Sequence, residues 1–165
     1  MTNETLYLGA NPLNASATAV EGDYVTRDGE SFYRIANIDG MDDFFISVVS
    51  DSNHWMFIST RGGLSAGRTD CDSALFPYYT EDKIRDNSDN TGSRTIVIAD
   101  QGGKRMLWEP FSRSHTGIYS ITRNLYKNVL GDKLIFEEIN HDLGLQFTYS
   151  WSTSDRFGFV KQSTL

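Results

Sequence analysis

The chain has one cysteine, three prolines, three histidines and more acid than base, and each shortage removes a class of explanation. A single thiol, Cys71, cannot close an internal disulfide, so a reducing, cytoplasmic setting is expected rather than a secreted disulfide scaffold. Few prolines and a charged fraction of 22% argue against disorder over most of the length. No run approaches the roughly 20 apolar residues that span a bilayer. The opening MTNETLYLGANPLNASATAV lacks both a positive start and an apolar core, so it does not read as a secretory signal. A formal net charge of −7 disfavours any sequence-independent grip on nucleic acid or on an anionic membrane, because that grip needs Lys and Arg against phosphates. No two of His54, His115, His141 and Cys71 stand at a zinc spacing, and the acids from Asp70 to Asp89 lack an EF-hand loop. Neither a metal nor an organic cofactor is expected.

What is present is strand texture. A length of 165 residues fits one domain with a core of its own. Residues 1–30 are small and polar and read as an irregular lead-in with one edge strand, and residues 31–165 as the domain proper. From Ser31 short apolar runs alternate with turn residues: SFYRIANI, DFFISVVS after Asp39-Gly40, HWMFIST, RTIVIAD, KRMLWEPF after Gly102-Gly103, KLIFEEI after Gly131-Asp132, and LGLQFTYSWS. Asp39-Gly40 between two such runs predicts a hairpin. In the last run Leu143, Leu145, Phe147, Tyr149 and Trp151 share one face and Gln146, Thr148, Ser150 and Ser152 the other. The stretch 118–131 fits either period, and its β-branched and aromatic content favours strand. Thr80 to Ile84 fits a single helical turn. Many short strands without alternating helices predict an all-β, antiparallel β-sandwich.

Chemical motifs are scarce. In 61-RGGLSAGR-68 the glycines and the two arginines suggest a phosphate cradle, but the Gly-Lys-Ser/Thr of a P-loop is missing and a turn with two solvated arginines is the simpler reading. There is no Gly-x-Ser-x-Gly elbow. A nucleophilic cysteine wants a positioned histidine and an electropositive surrounding, whereas Cys71 sits between Asp70 and Asp72, so it reads as a buried or tolerated cysteine. Glu137 and Glu138 are adjacent, so in a strand they face opposite sides and cannot act together as a glycosidase pair. Among the aromatics Trp55, Phe57, Phe76, Tyr78, Tyr79, Trp108, Tyr149 and Trp151, most belong in a core. Tyr78 and Tyr79 are the ones expected to be exposed, where rings stack on sugar faces.

Three blocks, 53-NHWMFISTRGGLSAGRTDCDSALFPYYTEDKI-84, 125-LYKNVLGDKLIFEEINHDLGL-145 and 149-YSWSTSDRFGFVKQSTL-165, resemble the opening domain of large bacterial cellobiose-phosphorylase-like proteins. The resemblance implies a galactose-mutarotase-like supersandwich that precedes a catalytic helical barrel. It implies that the general acid and any inorganic phosphate, a substrate of the parent enzyme, belong to that barrel. No catalytic residue is therefore expected in this chain. Its implied partners are its own C-terminal helical-barrel domain, a carbohydrate and a second copy in a homodimer, and the chain is expected to be an excised domain. Residues 53–84 would then be a long loop docking on the barrel or rimming its cleft, with Arg61, Arg68, Asp70, Asp72, Tyr78, Tyr79, Asp82 and Lys83 as the contacts. An independent carbohydrate-binding module and a small self-contained β-barrel enzyme are the other readings.

Overall fold

A computed structural model describes residues 5–13, 18–76, 83 and 91–165. Nearly all regular structure among them is antiparallel strand, as in an all-β sandwich. A small hairpin, β1 (Tyr7–Leu8) with β2 (Asn11–Pro12), comes first. Strands β3 (Glu21–Arg27) and β4 (Glu30–Ala36) then pair through Asp28-Gly29, where both φ angles are positive at 50° and 79°. That is the geometry Asp-Gly favours in a tight hairpin turn. The edge strand expected in the lead-in is β3.

At Asn37 the backbone turns left-handed (φ 56°), and a 3-10 turn, Ile38–Gly40, carries the chain out of this sheet. Asp39-Gly40 therefore does not close a hairpin as its sequence suggests. It is a corner between two sheets, fixed by Asn37 Nδ2 donating to the Ala19 carbonyl and by Asn124 Oδ1 accepting from the Asn37 amide. The second sheet is a meander of β5 (Phe45–Val48), β6 (His54–Ser59) and β7 (Leu64–Arg68). A hairpin of β8 (Val97–Gln101) and β9 (Lys104–Trp108) follows, turned by Gly102-Gly103 as expected.

The chain returns in β10 (Ile121–Asn128), β11 (Lys133–Asn140), β12 (Leu145–Ser154) and β13 (Gly158–Thr164). Strand β10 pairs with β4 across the long excursion, which completes the six-stranded order β13-β12-β11-β10-β4-β3. The 118–131 stretch is thus strand, as its composition indicated.

Side-chain alternation decides what each face of the large sheet holds. Its inner face carries Ile35, Leu125, Leu134, Phe136, Tyr149, Trp151 and Phe159, packed against Ile46, Val48, Met56, Ile58, Leu64 and Ala66 of the small sheet. A second cluster, Trp108, Tyr119 and Phe147, joins the β8–β9 hairpin to the same face. Three strands cannot cover six. The inner side of β3 and β4, with Tyr24 and Tyr33, lies beyond the small sheet's edge strand β5.

Candidate functional site

The first of the three blocks, residues 53–84, is mostly scaffold over its described part. A third of residues 53–84 are β6 and β7, joined by a turn at Gly62, so the expectation of one long loop is corrected. The apolar face of these strands, Met56, Ile58, Leu64 and Ala66, is the small sheet's share of the core, which is why they pair rather than loop out. Arg61 is not a solvated arginine: its Nε donates to Asp43 at 2.5 Å and its Nη1 to Asp39 at 3.4 Å. Arg68 is exposed and donates to His54 Nε2. Asp70 caps the 3-10 turn Cys71–Ser73 by accepting from the Ser73 amide, and Asp72 lies exposed within it. Cys71 is exposed there rather than buried, because that turn buries none of its residues. Lys83 is exposed, while Tyr78, Tyr79, Asp82 and the rest of the expected turn at 80–84 lie outside the described residues. The described candidates do not converge on one site.

The groups that do converge are organised by β11, whose adjacent Glu137 and Glu138 face opposite sides of the sheet as their spacing indicated. Glu138 points inward with 1% of its surface exposed. It accepts from Trp108 Nε1 (2.7 Å), the Phe111 amide (2.6 Å) and Arg123 Nε (2.7 Å). Arg123, its cross-strand partner and equally buried, also reaches Asp39 (3.1 Å) and the Ser112 carbonyl (3.2 Å). Phe111 holds a left-handed φ of 64°, a strained conformation for a bulky side chain, and its amide bond to Glu138 helps hold it there.

Glu137 points outward and is saturated as well. Arg27 Nη1, Asn124 Nδ2, Tyr126 hydroxyl and Gln146 Nε2 all donate to it, at 2.6–3.2 Å. The Arg27 guanidinium lies over the Tyr126 ring, and burial together with the bond to Glu137 pushes the Tyr126 phenol up to about 12. Beside this network Lys133 bonds Glu30, and with Asn128 it draws the Glu30 carboxyl below its usual range. A polar groove of about 370 Å³ runs over this face, floored by Ile135, Thr148 and Ser150. Both glutamates therefore serve fixed donors, one on each face. Neither is placed across a cleft from the other.

Two further surfaces stand out. Between β5 and the β3–β4 hairpin lies an apolar groove of about 510 Å³, lined by Tyr24, Tyr33, Ile35, Phe44, Phe45 and Leu125 with Lys127 beside them. Tyr24 is 76% exposed and meets Tyr33 edge to face, and Val49, Val129 and Leu130 extend the exposed apolar area. On the β8–β9 hairpin, Val97 and Trp108 face inward while the cross-strand pair Ile98 and Leu107 faces solvent beside Ile96.

A smaller cavity of about 160 Å³ lies between β12, β13 and the 109–114 turn, with Lys161, Tyr149, Ser112 and Ser114 among its walls. Among the described residues no group of three or more metal-ligating side chains forms, and no helix is long and apolar enough to cross a membrane. Neither a known protein family nor a curated protein matches this chain.

Proposed function

We propose that this chain is a non-catalytic β-sandwich domain of a carbohydrate-active, phosphorylase-like protein. It packs its apolar surfaces against a helical-barrel domain and borders that domain's sugar cleft, and inorganic phosphate is a substrate of the barrel. The observation that carries the reading is the grouping of exposed apolar side chains where the small sheet stops short of the large one. Tyr24, Tyr33 and Phe45 rim the groove and Ile96, Ile98 and Leu107 form the hairpin face. Contiguous apolar patches of this kind on soluble domains mark contact surfaces. A groove of this size takes a few apolar side chains from a packed helix, and Lys127 at its wall suits an acidic residue beside them. The saturation of Glu137 and Glu138 supports the same reading, because a general acid or base needs a proton-transfer partner in the substrate rather than four or three fixed protein donors.

A second reading, an independent carbohydrate-binding module, is favoured by one feature. The exposed Tyr24–Tyr33 pair offers ring faces and edges to a sugar, with Ser47 and Lys127 close by to hydrogen-bond its hydroxyls.

The test has two arms. Cello-oligosaccharides and phosphate are incubated with this chain alone, and no sugar phosphate or reducing end is expected to form. The protein expressed natively from its source is then weighed intact, and Tyr33→Asp and Phe45→Asp are made in it. A mass several-fold above this chain, with domain separation in limited proteolysis of the variants, supports the docking reading. Turnover by this chain alone that Glu137→Gln or Glu138→Gln abolishes would overturn it.

A further inference from the structure

Strand β13 breaks the alternation that builds the core. Phe159 and Lys161 lie on the same inner face, where β12 opposite supplies Trp151 and Tyr149, so a lysine occupies a position the pattern reserves for an apolar residue. Its ammonium sits over the Tyr149 ring, 4.6 Å from the centroid, and bonds the Ser93 hydroxyl. Among the described residues it meets no carboxylate, and partial burial lowers its pKa. The half-buried ammonium faces the 160 Å³ cavity.

The other walls repeat the theme. The Tyr149 hydroxyl stands against Gly62, where an added Cβ would lie 3.1 Å away, and it makes no hydrogen bond among the described residues. Ser112 and Ser114 line the same space, and neither hydroxyl has a protein acceptor among the described residues. The turn that presents them is held by the buried Glu138–Arg123 pair through the Phe111 amide and the Ser112 carbonyl. The one carboxylate in the lining, Glu109, is engaged by Arg94 Nε at 2.6 Å, and Arg61 is engaged by Asp43 outside it. The cavity lining thus brings the Lys161 ammonium together with Tyr149, Ser112 and Ser114.

We propose that this cavity binds a phosphoryl group, either free inorganic phosphate or the phosphate end of a small ester. A lining that offers an ammonium and several hydroxyl-bearing side chains suits a tetrahedral anion with many acceptors better than a planar carboxylate. A mobile ammonium and rotatable hydroxyls recognise phosphate as a point charge with several acceptors. The space leaves room for one phosphoryl group. The chain's net charge of −7 gives anions no general attraction, so binding here has to be local. The site is separate from the apolar groove, and the proposal stands or falls without the docking reading.

The experiment is a titration of this chain, followed by amide NMR shifts and calorimetry, with inorganic phosphate, glucose 1-phosphate and acetate in parallel. Shifts are expected at 91–95, 109–114 and 161 with phosphate or with the ester, and whichever binds more tightly identifies the source. Lys161→Met, which keeps the length and fills the same core-facing position, should weaken binding about tenfold, the loss of one charge-assisted hydrogen bond. Tyr149→Phe should weaken it less while leaving the ring in the core, and it serves should Lys161→Met fail to fold. Lys104→Met, on the distant β8–β9 turn, controls for net charge and should change nothing. Absence of saturable binding by the unaltered chain would overturn the proposal. So would acetate binding as tightly as phosphate, or affinity unchanged in both cavity variants.

Discussion

Replacing Glu138 by glutamine tests the arrangement most directly, because it alters one atom's chemistry and almost no volume. Glu138 and Arg123 are 2% and 6% exposed at the side chain, so their charges cannot turn to water when the pair is broken. Removing one partner of a buried pair costs about 3–5 kcal/mol. Arg123 would keep Asp39 at 3.1 Å and the Ser112 carbonyl at 3.2 Å, which places the expected loss near the lower end, about 3 kcal/mol. Against a typical domain stability of about 5–15 kcal/mol this is a large fraction. With a urea dependence of about 2 kcal/mol per molar, the unfolding midpoint should fall by about 1.5 M. The assay is urea unfolding followed by far-ultraviolet circular dichroism, with tryptophan fluorescence reporting Trp108, whose indole N–H loses its carboxylate acceptor. Arg123→Met alone should be destabilising too, and the double variant should lose about 2 kcal/mol less than the sum of the singles, the coupling expected of a direct pair. A loss below about 1 kcal/mol in Glu138→Gln, or an additive cycle, would refute the claim that this pair holds the 109–114 turn.

Three other outcomes follow from the same geometry. Gly67→Ala should cost about 2–3 kcal/mol and perturb Trp55, because the new Cβ meets Ala74 Cα at 2.7 Å, the Ser73 carbonyl at 2.8 Å and the Trp55 ring at 2.6 Å, and the first two are backbone. Gly102→Ala, at φ 60° with nothing within 4 Å, should cost only its conformational strain of about 1–2 kcal/mol, and urea melts of the two variants compare them. The Tyr126 phenol is held neutral to about 12, above its ordinary value of 10, so the folded state keeps a proton that the unfolded state releases between these values. Stability should therefore fall as pH rises through that window. Tyr126→Phe should flatten the fall, as read by unfolding at fixed alkaline pH alongside phenolate absorbance. Tyr33→Ser together with Phe45→Ser should reduce binding of a hydrophobic dye without lowering the melting temperature by more than a few degrees, because both side chains are already 39–43% exposed.

The strands were legible because one face of each is core. The alternation at Leu145, Phe147, Tyr149 and Trp151 predicted β12 and its inner face, and the composition of 118–131 was enough to choose strand over helix. Turns were less legible, since the same dipeptide did two jobs. Asp28-Gly29 closes the β3–β4 hairpin, whereas Asp39-Gly40 leads out of the sheet, and the difference lies in Asn37, whose left-handed backbone and contacts to Ala19 and Asn124 are tertiary. The site was hardly legible at all. Attention went to the glycines, arginines and acids of 61–83, most of which belong to a β-hairpin and an exposed turn. The informative residues, Glu137, Glu138, Arg123 and Lys161, are charges inside strands that the periodicity marks as half core. Lys161 was the available signal, two residues after Phe159 on the same face. The donors that saturate the glutamates come from 15 or more residues away in several cases, and no local pattern reports them.

The adjacent glutamates also bear on which face needs a partner. Outward from β11, Glu137 is satisfied by Arg27, Asn124, Tyr126 and Gln146, and Glu30 by Lys133 and Asn128. A polar layer whose members satisfy one another can stand in water without a second sheet over it. The inner side of β3 and β4 has no such arrangement. Its Tyr24 and Tyr33 are aromatic, and the nearest strand of the opposing layer, β5, ends the small sheet beside them. Covering the polar face would bury ions that are already paired and would recover little, whereas covering the apolar groove removes aromatic surface from water at about 25 cal/mol per Å². A partner domain should therefore lie along the β5 edge rather than on the Glu137 face. Substituting Gln146 or Thr148 by alanine should leave the association unchanged, while Tyr24→Ser and Phe45→Ser should weaken it, and the reverse pattern would move the interface to the polar face.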